Sequence, residues 1–353
     1  IPNICLDKQL IPTIEFFNDN SFIESPSDSY NFNSPVIITT SNGLGKKRNY
    51  IINVSSYTGL PMIFLYTKGG APVDSKDNYV RGALSIYPNI CLTKSFAEAH
   101  DSISIKGRGN STWGMPKKPY QVKFDSKKEL LGMPKDKTWV LLANYTDKSF
   151  IRWETACDFS RISCLDWTPR TRFVELFMND VYRGNYVLCE KIKISDDRVD
   201  VGDNGYILEV DQLSRLDVGD VYFQTDRILC NIKDPELDFD SDSFNWIKDY
   251  VTASERALYS ENFLDEEKGY KNYIDINSFV DWYLINEIAK NNDAVFFSSC
   301  YMNIKRGGKL KMGPIWDFDI AFGNCNYNDN WKEEGFYIKS ASWISRMFED
   351  PEF

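Results

Sequence analysis

Three aspartates in the last fifth of the chain have the spacing that phosphoryl transfer requires. Asp293 precedes a predicted β-hairpin, and Asp317 and Asp319 follow it. Because a hairpin returns to the end of the sheet that it left, we expect Asp293 and Asp317 to meet there. One carboxylate can accept the proton of an attacking hydroxyl while another binds the Mg²⁺ that bridges nucleotide phosphates. The simpler interpretation is that these aspartates only cap or end structural elements.

A glycine-bearing turn supplies a candidate phosphate site. A strand-like run at 103–107 leads into Arg108, Gly109 and Asn110, and the backbone N–H groups of such a turn can approach an anion. On the next strand, alternation places Gln121 and Lys123 on one face. We expect Lys123 to contact the phosphates. Two further lysines, Lys118 and then Lys106, remain as alternatives.

Composition excludes several function classes. The 353 residues carry a net charge of −10, which argues against non-specific nucleic-acid binding. There is one histidine, so chemistry at this site must rest on Asp, Glu, Lys and Arg. The eight cysteines form no CxxC pair, which excludes the usual zinc spacings. No apolar run approaches the length of a membrane span.

Several elements must position these residues. A helix at 276–290 with Asp275 as N-cap should precede Asp293, and strands at 295–304 and 309–315 should form the hairpin. A helix at 148–163, with Asp147 as N-cap, carries Arg152, Glu154 and Asp158. The remaining predicted elements are strands at 13–16, 36–39, 49–54, 61–66, 83–87, 118–124, 139–144, 173–178, 186–192, 205–210 and 221–225, and a helix at 243–258.

The order of these elements indicates an α+β chain of three parts. Residues 1–58 read as a small β-sandwich-like module. Residues 59–192 give strand, glycine turn, strands, helix and hairpin, which is the order of the small lobe of a protein kinase. Helices dominate the prediction for residues 193–353, as in a kinase's large lobe.

A set of motifs in fixed order resembles the CotH family of atypical, spore-coat-type protein kinases. The resemblance covers roughly residues 59–353 and rests on the segments 106–113 (KGRGNSTW), 117–120 (KKPY), 131–134 (LGMP), 139–144 (WVLLAN) with Asp147 and Arg152, 184–191, 286–293 and 313–319 (GPIWDFD).

The resemblance implies a bilobal kinase-like fold that binds ATP with Mg²⁺ or Mn²⁺. The reaction implied is phosphorylation of Ser or Thr in surface or envelope proteins, by a secreted or cell-surface enzyme. Asp293 corresponds to the catalytic aspartate, and Asp317, with Asp319, to the metal site. The sequence departs from the common kinase pattern, because Asp319 stands where Gly follows Asp-Phe and Asn291-Asn292 precede Asp293 in place of His-Arg.

The resemblance also implies where the nucleotide lies. We expect adenine against the backbone from Glu190 to Ile192, and phosphates near Arg108, Gly109 and Asn110. The acidic partner of the phosphate lysine remains open between Glu154 and Asp158, and Arg152 is a third possibility.

Two expectations concern the termini of the chain. The chain opens without Met or a signal segment, so we expect any export signal to have been removed. It stops where family members usually continue, so we expect part of the large lobe to be missing.

The rival function is a surface adhesin or scaffold that uses the kinase-like fold as a binding platform.

Overall fold

The computed structural model describes residues 9–10, 14, 16, 21–32, 34–52, 58–87 and 101–353. By backbone contacts the chain divides into two compact units. The described residues up to Met62, with Tyr87, belong to the first, and 63–86 and 101–353 to the second. The predicted boundaries at 58/59 and 192/193 stay predictions.

The first unit contains two small antiparallel sheets. One pairs β1 with β3, and the other has the order β2-β4-β5. Their strands are β1 (Gln9–Leu10), β2 (Ser21–Ile23), β3 (Tyr30–Asn31), β4 (Val36–Asn42) and β5 (Lys47–Ile52). The predicted strands at 36–39 and 49–52 are confirmed, whereas most of 13–16 and residues 53–54 lie outside the described residues.

The second unit begins with a closed seven-stranded barrel. Its order is β10-β12-β11-β6-β7-β8-β9, closed by the β9–β10 pair. Alternate residues of these strands, such as Ile103, Ile105, Val122 and Phe124, are buried in its interior. The strands are β6 (Met62–Thr67), β7 (Val80–Tyr87), β8 (Asp101–Gly107), β9 (Tyr120–Leu130), β10 (Met133–Leu142), β11 (Thr171–Met178) and β12 (Val181–Glu190).

The first helix is shorter than predicted. Helix α1 spans Arg152–Arg161 instead of 148–163. Phe150 has φ +64°, a left-handed conformation that interrupts a right-handed helix. The Asp147 carboxylate accepts from the amides of Ser149 and Arg152, so it orders the turn before the helix and is not its N-cap.

A five-stranded antiparallel sheet with three helices completes the second unit. The order is β14-β15-β13-β16-β17, and the helices pack with the sheet around a large aromatic and aliphatic core. The elements are β13 (Tyr206–Asp211), β14 (Val221–Gln224), β15 (Leu229–Asp234), α2 (Asp242–Tyr259), α3 (Ile276–Ala289), β16 (Cys300–Ile304), β17 (Lys311–Met312) and α4 (Ser342–Met347).

The α+β class is confirmed, but the prediction for residues 193–353 understated its β content. The predicted pair at 205–225 and the hairpin belong to one sheet, because β13 pairs with β16 about ninety residues further along the chain. Local sequence patterns do not reveal such a long-range pairing. Helix α3 and its N-cap are confirmed, since the Asp275 carboxylate accepts from the amide of Ser278.

The hairpin is confirmed with shorter strands than predicted. Strand β16 begins at Cys300 rather than 295, and β17 has two residues. Phe296 and Ser299 adopt φ +60° and +58°, which breaks the extended backbone before β16. A 3-10 turn at Asn292–Ala294 precedes them. The residues between α3 and β16 are therefore a compact loop, and this loop holds Asp293.

Candidate functional site

A cleft of about 340 Å³ lies between one end of the barrel and one end of the five-stranded sheet. The barrel contributes the turn after β8 and residues near the ends of β9, β10 and β12. The sheet contributes residues of β13 and the loops around the β16–β17 hairpin. Its lining residues include Lys106, Arg108, Gly109, Asn110, Gln121, Val140, Leu142, Lys191, Ile192, Glu209, Arg215, Lys233, Ser298, Ser299, Trp316, Asp317, Phe318 and Asp319.

Asp317 and Asp319 share the sheet side of the cleft. Asp317 has φ +66°, an uncommon conformation for a residue with a side chain. Burial and the neighbouring carboxylates of Asp319 and Asp293 raise its pKa well above its ordinary value. Asp317 accepts a hydrogen bond from Ser299 Oγ at 3.4 Å, and Asp319 accepts one from Thr146 Oγ1. The two carboxyl groups therefore repel each other when both are ionised, and each accepts a hydrogen bond from one hydroxyl group.

Asp293 lies behind Ser298, a residue that lines the cleft. Its Oδ2 accepts from Ser298 Oγ at 3.3 Å and lies 3.8 Å from the Arg215 guanidinium. Burial raises the pKa of Asp293, and Arg215 opposes that rise. Ser298 donates to Asp293 and the next residue, Ser299, donates to Asp317, so the two acids lie near each other just before β16.

Buried aromatic residues hold the acidic loop in place. Phe318, between the two acids, is 1% exposed and packs against Trp153 of α1 with ring centroids 6.1 Å apart. Trp316 meets the same Trp153 ring edge-on at 5.2 Å. Phe318 is almost fully buried, and Asp317 and Asp319 on either side of it line the cleft with it. Among the residues described, no group of three His, Cys, Asp or Glu side chains has metal-binding geometry.

The barrel side of the cleft carries several cations without a carboxylate partner. Within the described ranges, Lys106, Arg108, Lys117 and Lys191 line the cleft and form no ion pair. Arg108 stacks on Trp316 at 5.4 Å, and Lys106 lies over the Tyr79 ring at 5.2 Å. Desolvation by the cleft walls, together with these neighbouring cations, lowers the pKa of Lys191 to about 8. Crowded cations of this kind favour a bound anion.

The glycine turn shapes the entrance to the cleft. Gly109 has φ +84°, and a Cβ there would lie 2.1 Å from Thr112 Oγ1, so no other residue fits. The amides of Gly107 and Arg108 donate to Ser75 and Pro119 carbonyls. What Arg108 offers to the cleft is therefore its side chain rather than its amide.

Of the three lysines considered from sequence, the structure brings only Lys106 to the cleft. Lys106 pairs with Gln121 across β8 and β9, and both line it. Lys123 is on the same face as Gln121 but two residues further along β9, roughly 7 Å away, and is exposed. Lys118 donates to the carbonyl of Trp113 and lies over that ring at 5.2 Å, so it is used within its own turn.

The charged residues of α1 do not line the cleft either. Arg152 forms an ion pair with the buried Asp147 at 2.5 Å. Glu154 accepts from Thr171 and Arg161, and Asp158 from Arg161. Arg152 acts on the site indirectly, because the loop that it and Asp147 order includes Thr146, the donor to Asp319.

At the end of β12 the cleft receives Lys191 and Ile192 but not Glu190. The Glu190 side chain is fully buried and accepts from the Arg170 amide at 2.9 Å and its guanidinium at 3.0 Å. The carbonyl of Lys191 accepts from the buried Arg198 guanidinium at 2.7 Å. These contacts fix the backbone that carries the Lys191 side chain.

Sequence reasoning missed at least four charged residues of this site. Lys191 stands directly between the predicted Glu190 and Ile192, and this adjacency was the available signal. The Glu209–Lys233 ion pair (3.4 Å) and Arg215 lie in a mixed, acidic stretch without a motif. Only the pairing of β13 with β15 and β16 brings them to the cleft.

The described residues thus place carboxyl groups and cations without an ion-pair partner in one cleft. A family model described as CotH kinase protein matches residues 105–353, which is more than half of the chain. The chain therefore belongs to the CotH kinase family, which confirms the resemblance. The match begins at 105, later than the predicted 59.

A search among curated proteins found no match. In the portion of the chain that the structure describes, no helix has the length and hydropathy needed to cross a bilayer. The absence of nucleic acid among its partners stays a prediction.

Proposed function

We propose that this protein is an atypical protein kinase that transfers the γ-phosphate of ATP to Ser or Thr of a surface or envelope protein. One observation carries the proposal. A single cleft is lined by Asp317 and Asp319 and by Lys106, Arg108 and Lys191, which form no ion pair with any residue that the structure describes. Membership of the CotH kinase family supports the same function.

The donor set of Asp317 and Asp319 fits Mg²⁺ or Mn²⁺. Mg²⁺ in phosphoryl-transfer sites is commonly held by one or two carboxylates together with phosphate oxygens and water. The mutual repulsion that raises the Asp317 pKa would be relieved by a cation between the two side chains. When bound, the metal neutralises charge on the phosphates. Asp317 and Asp319 would hold it, and Ser299 and Thr146 orient their carboxylates.

The phosphates of ATP should bind at the end of the cleft where the cations lie. Lys106 and Arg108 come from β8 and the turn after it, and Lys191 approaches from the end of β12. We propose Lys106 and Lys191, rather than Lys123, as the lysines that contact the phosphates. The apolar lining near Val140, Leu142 and Ile192 then accommodates the adenine.

On this proposal the fold is bilobal and kinase-like. The barrel with α1 corresponds to the small lobe, and the five-stranded sheet with α2, α3 and α4 corresponds to the large lobe. Asp293, behind Ser298, accepts the proton of the acceptor hydroxyl. Its position near Asp317 supports this role. The family resemblance favours a secreted or cell-surface location.

The test is transfer of label from γ-labelled ATP to a casein-like acceptor and to the protein itself. We expect Mg²⁺-dependent incorporation by the wild type and loss of on the order of 10²-fold in Asp293→Asn. Asp226→Asn, at an exposed turn between β14 and β15, is the matched control and should transfer normally. Nucleotide binding without transfer would favour the platform function, and no binding would reject the kinase assignment.

A further inference from the structure

Arg215 lies next to Asp293, the proposed catalytic base, and most of its N–H donors have no acceptor in the described part of the chain. It ends a 3-10 turn at Leu213–Arg215, between β13 and β14. Its guanidinium lies 3.8 Å from Asp293 Oδ2, donates to Ser298 Oγ at 2.9 Å and stacks on Phe297 at 4.8 Å. A guanidinium has five N–H donors. In the described part of the chain, only the bond to Ser298 uses one of them.

Neighbours on both sides of the cleft hold the backbone of the turn that carries Arg215. The Arg215 carbonyl accepts from Asn110 Nδ2 at 3.4 Å. Asn110 also receives a bond from Lys76, which forms an ion pair with Asp217 at 3.0 Å. Gln212, at the start of the turn, donates to the Phe297 carbonyl at 3.0 Å. The turn is therefore held at the cleft, and the contacts with Ser298 and Phe297 direct the guanidinium towards Asp293.

The two arginines of the cleft lie beside different acids. Arg108 stacks on Trp316, which directly precedes Asp317. Arg215 lies 3.8 Å from Asp293, the residue to which an acceptor hydroxyl would give its proton on the proposed function.

We propose that Arg215 is a catalytic residue that contacts the phosphoryl group during its transfer. This inference rests on the proposed kinase function. In the step, the acceptor oxygen bonds to the γ-phosphorus while the bond from that phosphorus to its bridging oxygen breaks. ADP leaves with the electron pair, and the hydroxyl proton passes to Asp293. Arg215 stays protonated and stabilises the charge on the transferring group, an effect confined to the transition state.

The experiment compares Arg215→Ala, Arg215→Lys and wild type in steady-state transfer from ATP. We expect kcat to fall by on the order of 10²-fold in the alanine variant, with the KM for ATP changed less than threefold. The lysine variant should keep part of the rate. Added guanidinium ion should restore part of the rate to Arg215→Ala, which a purely structural role would not allow.

Two controls separate the possible outcomes. Arg183→Ala removes an exposed cation from β12 and should leave kcat unchanged. The backbone bond from Asn110 survives substitution of the Arg215 side chain, so melting temperatures should stay near that of the wild type. An unchanged or increased kcat in Arg215→Ala, with an active wild type, overturns this inference alone. A wild type without Mg·ATP binding overturns the kinase proposal and this inference together.

Discussion

The two walls of the cleft carry opposite charges on different kinds of backbone. The barrel wall presents Lys106, Arg108 and Lys191 on strands or directly at their ends. The sheet wall presents Asp293, Asp317 and Asp319 on irregular loops, where Ser299 and Asp317 adopt left-handed conformations. The cations therefore follow from where strands β8 and β12 end, whereas the acids depend on the conformation of loops.

The difference also appears in how each wall is held. Phe318 and Trp316 anchor the acidic loop through packing on Trp153. The cations of the barrel wall depend on strand register, as the Lys106–Gln121 pair illustrates. Strain at Asp317 is tolerated because the surrounding core determines its position. The acidic wall is therefore the part where single substitutions should do most damage.

The largest effect should come from the acidic wall. Asp317→Ala should lower phosphoryl transfer by on the order of 10³-fold, because the metal loses a carboxylate and the phosphates lose their neutralising charge. The fold should survive, since removal of one of several mutually repelling acids relieves repulsion. Transfer rate and far-UV circular dichroism measure the two effects. Transfer above one tenth of the wild-type rate would contradict the assignment.

The anchor of that wall can be tested separately. Phe318→Ala should lower the free energy of unfolding by about 3–5 kcal/mol, because it leaves a cavity beside Trp153. Transfer should also fall, since the acids on either side lose their orientation. Phe318→Leu keeps most of the volume and serves as the matched control in denaturant unfolding. Equal stability of the two variants would show that Phe318 is not an anchor.

Substitutions in the basic wall should have a smaller effect, and that effect should be on ATP binding. Lys191→Met should weaken ATP binding about tenfold, the value of one charge-assisted contact. Its melting temperature should rise slightly, because a lysine with a lowered pKa costs stability while it is charged, and water in the open cleft reduces that cost. Lys123→Met is the control from the same barrel. Equal losses of affinity in both variants would favour the sequence-based choice of Lys123.

The smallest effect concerns pH. The pKa of Lys191 is lowered to about 8, so its charge is present at pH 7 and mostly lost at pH 9. ATP affinity should therefore decrease as pH rises, by up to about tenfold over this interval. Stability should move in the opposite direction, increasing between pH 8 and the ordinary lysine pKa. Titration calorimetry at several pH values measures this, and Lys191→Met should flatten the profile.

The sequence predicted more of the acidic wall than of the basic one. Hairpin spacing predicted that Asp293 and Asp317 lie near each other, and their contacts with Ser298 and Ser299 agree with this, whereas their catalytic and metal-binding roles stay predictions. Alternation identified the correct face of β9 but not which end of the strand reaches the cleft, and so favoured Lys123 over Lys106. Arg215 and Lys233 depend on pairing between strands distant in sequence, which no local pattern encodes.

The central claim is that both walls bind one nucleotide through a metal held by Asp317. The most direct test is calorimetric titration of a non-hydrolysable ATP analogue, with and without Mg²⁺, into wild type and Asp317→Ala. We predict that Mg²⁺ strengthens binding to the wild type at least tenfold, and that Asp317→Ala keeps only the metal-independent binding supplied by Lys106, Arg108 and Lys191. Full Mg²⁺ enhancement in Asp317→Ala, or no binding to the wild type, would contradict it.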